Sequence, residues 1–134
     1  MLEEAVAMLA CRPGKVIADG TLGGCGHAQR ICEQIAPDGV FIGIDQDSDA
    51  IDQARRVLPA DDSRIHIVRG NFVDLPLFLS ELGISAVDGI LIDIGLSFHQ
   101  IAASGRGFSF NRDEPLDMRM DTRSTVTAAD LLAT

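Results

Sequence analysis

Twelve residues near the amino terminus, Val16-Ile17-Ala18-Asp19-Gly20-Thr21-Leu22-Gly23-Gly24-Cys25-Gly26-His27, limit what this chain can fold into. They read as a short apolar strand, a glycine-rich turn and the first turn of a helix. An acid, Asp19, closes the strand ahead of the glycines. In a parallel α/β sheet the carboxyl end of a strand borders the crevice where ligands bind. Glycines there let backbone approach a ligand closely, and the N–H groups opening the next helix face the same space. A glycine-rich turn without any ligand is the plain alternative.

The rest of the chain repeats the strand–helix alternation. Leu2 to Leu9 has helical apolar spacing with Glu3 and Glu4 in its first turn, and Arg12-Pro13-Gly14 leads into a strand over Lys15–Asp19. A helix over His27–Ile35, the turn Pro37-Asp38-Gly39 and an apolar strand Val40–Ile44 closed by Asp45 come next. An amphipathic helix Asp49–Leu58, a strand Ile65–Val68, a helix Asp74–Leu82 and a fourth strand Val87–Ile94 complete the series. Uninterrupted βαβαβαβ order predicts a parallel sheet with helical crossovers. From Gly95 the sequence is loop-like, ending in a helix Thr127–Leu132 capped by Thr127.

Composition narrows the function. The formal net charge is −9, which speaks against a broad nucleic-acid-binding face. Arginines concentrate only in 106–123 (Arg106, Arg112, Arg119, Arg123), where Asp113, Glu114, Asp117 and Asp121 offset them. The three cysteines form no C-x-x-C pair, so neither a disulfide framework nor a zinc site is expected, and a reducing, cytoplasmic setting is. The longest apolar run, Gly89–Leu96, contains Asp93 and is too short to span a bilayer.

Three acids carry the chemistry. Asp19 suits a ligand bearing an ammonium group, whereas a pyrophosphate on the same loop would meet an anion; the glycines also depart from G-x-G-x-x-G. Asp45 lies 22 residues after Gly23, near the offset of about 20 at which an acid grips ribose hydroxyls; its alternative is a helix cap. Asp93, placed inside an apolar strand, is either a structural acid or one projecting into the crevice. A divalent metal on these acids is conceivable, but no metal is expected, because two of them have good cofactor roles. His27 reads as a capping residue or a backbone contact to ligand, and Phe72 as an adenine neighbour or plain core. Cys25 is explained by its small size.

Several stretches together resemble the MraW family. They are Leu2-Glu3-Glu4-Ala5-Val6, Asp19-Gly20-Thr21, Gly26-His27, Gly43-Ile44-Asp45, Gly70-Asn71-Phe72 and Asp88-Gly89-Ile90-Leu91. To these are added Arg106-Gly107-Phe108-Ser109-Phe110 and Pro115-Leu116-Asp117-Met118-Arg119-Met120-Asp121. The resemblance implies a Rossmann-like class I methyltransferase fold that uses S-adenosylmethionine to modify the N4 amine of a cytosine in small-subunit ribosomal RNA. By resemblance, Cys25, Gly26, His27, Asp45, Phe72, Asp93 and Gln100 match cofactor-contacting positions; the loop reading adds Gly23, and Asp19 near the methionine end, and Asp93 is the catalytic candidate.

Departures from the family pattern are Cys25, where glycine is usual, and Ser97-Phe98-His99-Gln100 in place of Ser-Ser-Pro-Gln. Family members are longer, so the expectation is a sheet truncated after its fourth strand. Residues 1–105 would form a partial cofactor-binding domain, and 106–134 an active-site loop with the start of a helical insertion. An open fourth-strand edge would invite homodimerisation. Two rival readings are a cofactor-binding or self-associating module without catalysis, and an NAD-dependent oxidoreductase.

Overall fold

The computed structural model describes all residues from Met1 to Thr134. Two compact units divide it, Met1–Ile94 and Gly95–Thr134.

The first unit is a four-stranded parallel sheet with helices on both faces. Its elements are α1 (Leu2–Met8), β1 (Val16–Asp19), α2 (Gly26–Ile35), β2 (Val40–Asp45), α3 (Ser48–Val57), β3 (Ile65–Arg69), α4 (Leu75–Glu81) and β4 (Gly89–Leu91). A single 3-10 turn, Phe72–Asp74, precedes α4. The strands lie in the order β3-β2-β1-β4. Register pairs Val16 with Val40, Phe41 with Ile65 and Ala18 with Ile90.

Period-two alternation along the strands feeds two cores. Ile17 and Phe41 pack with Val6 of α1, Ala28, Ile31 and Ile35 of α2, and Ile51 and Ala54 of α3. Ala18, Ile42 and Ile44 point to the opposite face and meet Leu75, Phe78 and Leu79 of α4. Both faces of β1 and β2 are thus covered, which explains their nearly continuous apolar runs. α3 begins at an Asp47 cap whose carboxylate accepts the Asp49 N–H (3.0 Å), and Arg55 and Arg56 end it. Both termini complement the helix dipole.

The fourth strand is shorter than its sequence suggests. It ends at Leu91, not Ile94, and Asp93 lies beyond it on exposed backbone. β1 leaves the sheet after Asp19, so β4 has no ladder partner past Leu91. It is the edge strand, and Ile90 within it (49%) and Ile92 just past it (45%) are exposed. The premise that Asp93 is an acid inside a buried strand is therefore corrected.

In the second unit, α5 (Phe98–Ala102) and α6 (Ala128–Ala133) flank a long irregular segment. α5 was not expected from composition, yet Ser97 and Gln100 form a complete capping box. No helix of the chain is long and apolar enough to cross a membrane.

The turn from α2 into β2 is tight enough to test. A Cβ at Gly39 would stand 2.5 Å from the Ile35 carbonyl oxygen and 2.7 Å from that of Lys15. Backbone cannot step aside as a side chain can, so Gly39→Ala should cost about 1–3 kcal/mol, the range for overpacking. Urea denaturation checks it; an unchanged midpoint would mean that this turn is looser than described.

Candidate functional site: the carboxyl ends of β1, β2 and β4

β2 and β3 extend the sheet to one side of β1, and β4 returns to the other side. Such a reversal of strand order opens a crevice at the carboxyl ends of the two diverging strands. Here that is the end of β1 at Asp19 and the end of β4 at Leu91. Asp45 closes the neighbouring strand β2.

Asp19 is wholly buried. Its Oδ1 accepts the Thr21 N–H at 3.0 Å, while Oδ2 is buried with no hydrogen-bond partner. Burial is the main cause that pushes its pKa up to about 6. The Thr21 N–H and the nearby His27 pull it back down, and the Asp45 and Asp93 charges add to the rise. An ionised carboxylate with an unanswered oxygen is costly in a dry setting. It suits a cationic donor and opposes a phosphate.

The glycine loop is anchored to β2 rather than left hanging. The Leu22 N–H donates to the Ile44 carbonyl (3.1 Å). The Leu22 side chain lies over Gly43, where a Cβ would meet Leu22 Cδ2 at 2.6 Å. Asp45 Oδ2 accepts the Gly23 N–H (3.0 Å) and Oδ1 accepts the Asp47 N–H (2.9 Å). Asp45 therefore joins the loop to the entry of α3, and the helix cap is Asp47, not Asp45. A carboxylate has about four acceptor positions, so two donors leave room for further hydroxyls.

Cys25 takes φ +67° in the left-handed region and is fully buried. That conformation costs a residue with a Cβ about 1–2 kcal/mol, a cost that a glycine would not bear. Its N–H donates to the Leu22 carbonyl (2.8 Å), closing the turn. Burial first, then Asp19 and Asp45, push the thiol up to about 11. At neutral pH it is not a nucleophile. Gly26 and His27 open α2; Gly26 is exposed and His27 half-buried.

Phe72 begins the 3-10 turn after β3 and covers the end of β1. A Cβ at Gly20 would lie 2.8 Å from Phe72 Cβ, so Gly20 is required for this close approach. Asn71 caps the turn through Oδ1 to the Val73 N–H (3.1 Å) and donates from Nδ2 to Gln46 Oε1 (3.4 Å). Asp93 is exposed, and its N–H donates to Thr21 Oγ1 at 2.8 Å. Asp19, Gly23, Cys25, Gly26, His27, Asp45, Phe72 and Asp93 all belong to the first unit. Gln100 belongs to the second, where its Oε1 accepts the Ser97 N–H (2.9 Å). Sequence reasoning overlooked Thr21 and Leu22; the only hint was a threonine and a leucine amid glycines.

The second unit is ordered by its arginines. The buried Arg106 donates from Nη1 to the carbonyls of Arg119 (2.7 Å) and Met120 (3.1 Å), and its guanidinium lies 5.4 Å from the Phe108 ring centroid. Arg119 grips Asp117 through Nε and Nη2 (2.8 and 2.6 Å), and that guanidinium draws the Asp117 carboxyl down to about 2. Arg123 pairs with Asp121 in the same way. These cations are engaged by their own segment, as the offsetting acids implied.

The first unit has the parallel α/β fold, wound on both faces, that solved methyltransferases share. TrmN from Thermus thermophilus shares the fold (TM-score 0.58, 23% identity, 70% of this chain and 27% of that one). A Clostridium thermocellum protein described as an rRNA-methylase does too (TM-score 0.61, 13% identity, 71% and 50%). A family model, the MraW methylase family, matches residues 1–134. The chain belongs to that family. Its curated relatives include ribosomal RNA small subunit methyltransferase H of Desulfosudis oleivorans, 58% identical over 132 residues, and that of Desulforapulum autotrophicum, 53% identical over 126. The alignments cover 98% and 94% of this chain but 42% and 40% of those proteins, so the chain spans about two fifths of their length.

Asp19 makes the stability depend on pH. The buried acid holds its proton to about pH 6, whereas the unfolded chain loses it near 3.8. Folding is therefore unpenalised below the unfolded value and bears the full cost of the buried charge above about 6, roughly 3 kcal/mol at most. Asp19→Asn should stabilise the chain by about 1–3 kcal/mol at pH 7, with the gain shrinking toward pH 4. Urea melts at both pH values decide it; a variant equally unstable at each would show that the carboxylate is not under strain.

Proposed function

We propose that this chain binds S-adenosylmethionine and takes part in methyl transfer to the N4 amine of a cytosine in small-subunit ribosomal RNA. Family membership and the names of the relatives support the reaction class. The observation that carries the reading is the buried Asp19 Oδ2, which has no partner. An ammonium group, as on the methionine end of the cofactor, supplies the missing donor and charge. The residues present fit that group.

The geometry of the first unit supports the following roles. Asp19 would hold the ammonium, with Thr21 fixing its other oxygen. Asp45, already clamped by two backbone donors, would use its remaining acceptor positions for ribose hydroxyls. The loop residues Gly23, Cys25, Gly26 and His27 offer backbone and close approach. Phe72 offers an aromatic face to the adenine. Gln100 is assigned a cofactor role by family position alone. When bound, the cofactor supplies an electrophilic methyl group on a sulfonium.

Asp93 is the residue we assign to the target. The exocyclic amine of cytosine is a weak nucleophile because its lone pair is delocalised into the ring. The exposed Asp93 carboxylate would accept a hydrogen bond from one of its N–H groups and hold the nitrogen in line, so that orientation supplies most of the acceleration, and the proton that the methylated nitrogen sheds would pass to that carboxylate or to water. Neither a nucleophilic cysteine nor a covalent intermediate is needed. An NAD-dependent reaction is disfavoured, since its pyrophosphate would face Asp19. Ribosomal RNA as partner and the cytoplasm as compartment belong to the same proposal.

Calorimetry with S-adenosylhomocysteine, 5′-methylthioadenosine and NAD tests the reading. Asp19 must be ionised to pair, so affinity for the homocysteine ligand should be full above about pH 6 and about tenfold weaker at pH 5. Methylthioadenosine lacks the ammonium and should bind more weakly, with a flat profile. Equal affinities and parallel profiles for the two, or preferential binding of NAD, would overturn the assignment.

A further inference from the structure

Of the two acids flanking the crevice, Asp19 ends β1 and Asp93 lies two residues past the end of β4, where the two strands part company. β1 and β4 pair as far as Asp19 and Leu91, and the last backbone bond between them runs from the Gly20 N–H to the Leu91 carbonyl (2.9 Å). Past that point the backbone of β1 swings toward β2, as the Leu22 N–H bond to Ile44 shows. A parallel ladder would offer the Asp93 N–H a carbonyl from a continued β1. The Thr21 hydroxyl stands in for it, with Oγ1 accepting the Asp93 N–H at 2.8 Å.

Thr21 is itself fixed from the other side. Its N–H donates to Asp19 Oδ1 at 3.0 Å. One residue thus contacts the buried acid through its backbone and the exposed acid's backbone through its side chain. Nothing else in the ladder holds Asp93, because β4 has already ended at Leu91. Ile92 is close by as well, its Cγ1 3.4 Å from where a Gly20 Cβ would be. That apolar contact restrains distance but gives no direction, whereas a hydrogen bond does.

We propose that Thr21 is a positioning residue that sets Asp93 against the end of β1 by continuing the β1–β4 ladder with its hydroxyl. What Asp93 then does for the target amine rests on the function proposed above; the placement itself does not. Threonine suits the position because its hydroxyl is an acceptor on a short, stiff stem. Valine has the same shape without the acceptor.

Amide hydrogen exchange of the 134-residue chain, resolved by NMR, tests this directly. Losing one net hydrogen bond should raise exchange at Asp93 about five- to tenfold in Thr21→Val. Core amides such as Ala18 and Ile42 should keep their wild-type rates, and Thr21→Ser should restore Asp93. Thr21→Ala serves if valine fails to fold. The inference is overturned if Asp93 exchanges within twofold of wild type in both Val and Ala variants, or is unprotected in wild type. A uniform rise across the core overturns it too, since that marks ordinary destabilisation. Titrating the same samples with S-adenosylhomocysteine separates the two claims: loss of binding in wild type removes the cofactor reading, while local, serine-rescued exchange at Asp93 still establishes the positioning role.

Discussion

A carboxylate sealed at the end of a central strand with one oxygen unanswered is the constraint on which the rest of the site depends. Asp19 lies between β2 and β4, in the middle of the sheet, where neither solvent nor a lysine or arginine reaches it. Its Oδ1 is satisfied by the first N–H of the departing loop and its Oδ2 by nothing. Natural folds rarely tolerate such an atom unless it has work to do. The strain is borne by well-packed neighbours, as expected of a functional site held by a rigid frame.

That frame is built from close contacts on either side. Gly20 lets Phe72 lie down on the end of β1, and Gly43 lets Leu22 lie down on β2. Both glycines are needed for proximity, since neither has a positive φ. Asp45 then ties the loop's Gly23 N–H to the start of α3. The loop is therefore shaped before any ligand arrives, which lowers the entropic cost of binding. Asp45 has a structural task and a ligand-facing capacity at once, so its loss would disturb both.

Much of this was legible in the sequence because two periodicities dominate it. Apolar strands of four to six residues alternate with amphipathic helices, and the helix and strand positions through β3 fall within a few residues of expectation. Asp19 and Asp45 were legible from their place at strand ends beside glycines. β4 was not, because the apolar residues of Val87 to Ile94 run on past Leu91 and periodicity cannot say where the partner strand turns away. α5 was hidden in loop-like composition, although its Ser97–Gln100 cap was readable. The two donors on Asp45 and the left-handed backbone at Cys25 required coordinates, since both depend on how the loop folds back. The arginine-rich segment shows how charge balance foretells behaviour: Arg106, Arg119 and Arg123 are spent on carbonyls and acids of their own unit.

The central claim is that Asp19 awaits a cationic partner. Carbon-13 NMR of its carboxyl group, titrated with and without saturating S-adenosylhomocysteine, tests this most directly. In the free chain the carboxyl should titrate near pH 6. With the ligand bound, the ammonium should favour the ionised form and move the midpoint below the usual carboxylate range. A midpoint near 6 in both states, with the ligand demonstrably bound, would contradict the account and leave Asp19 as a buried acid of the fold alone.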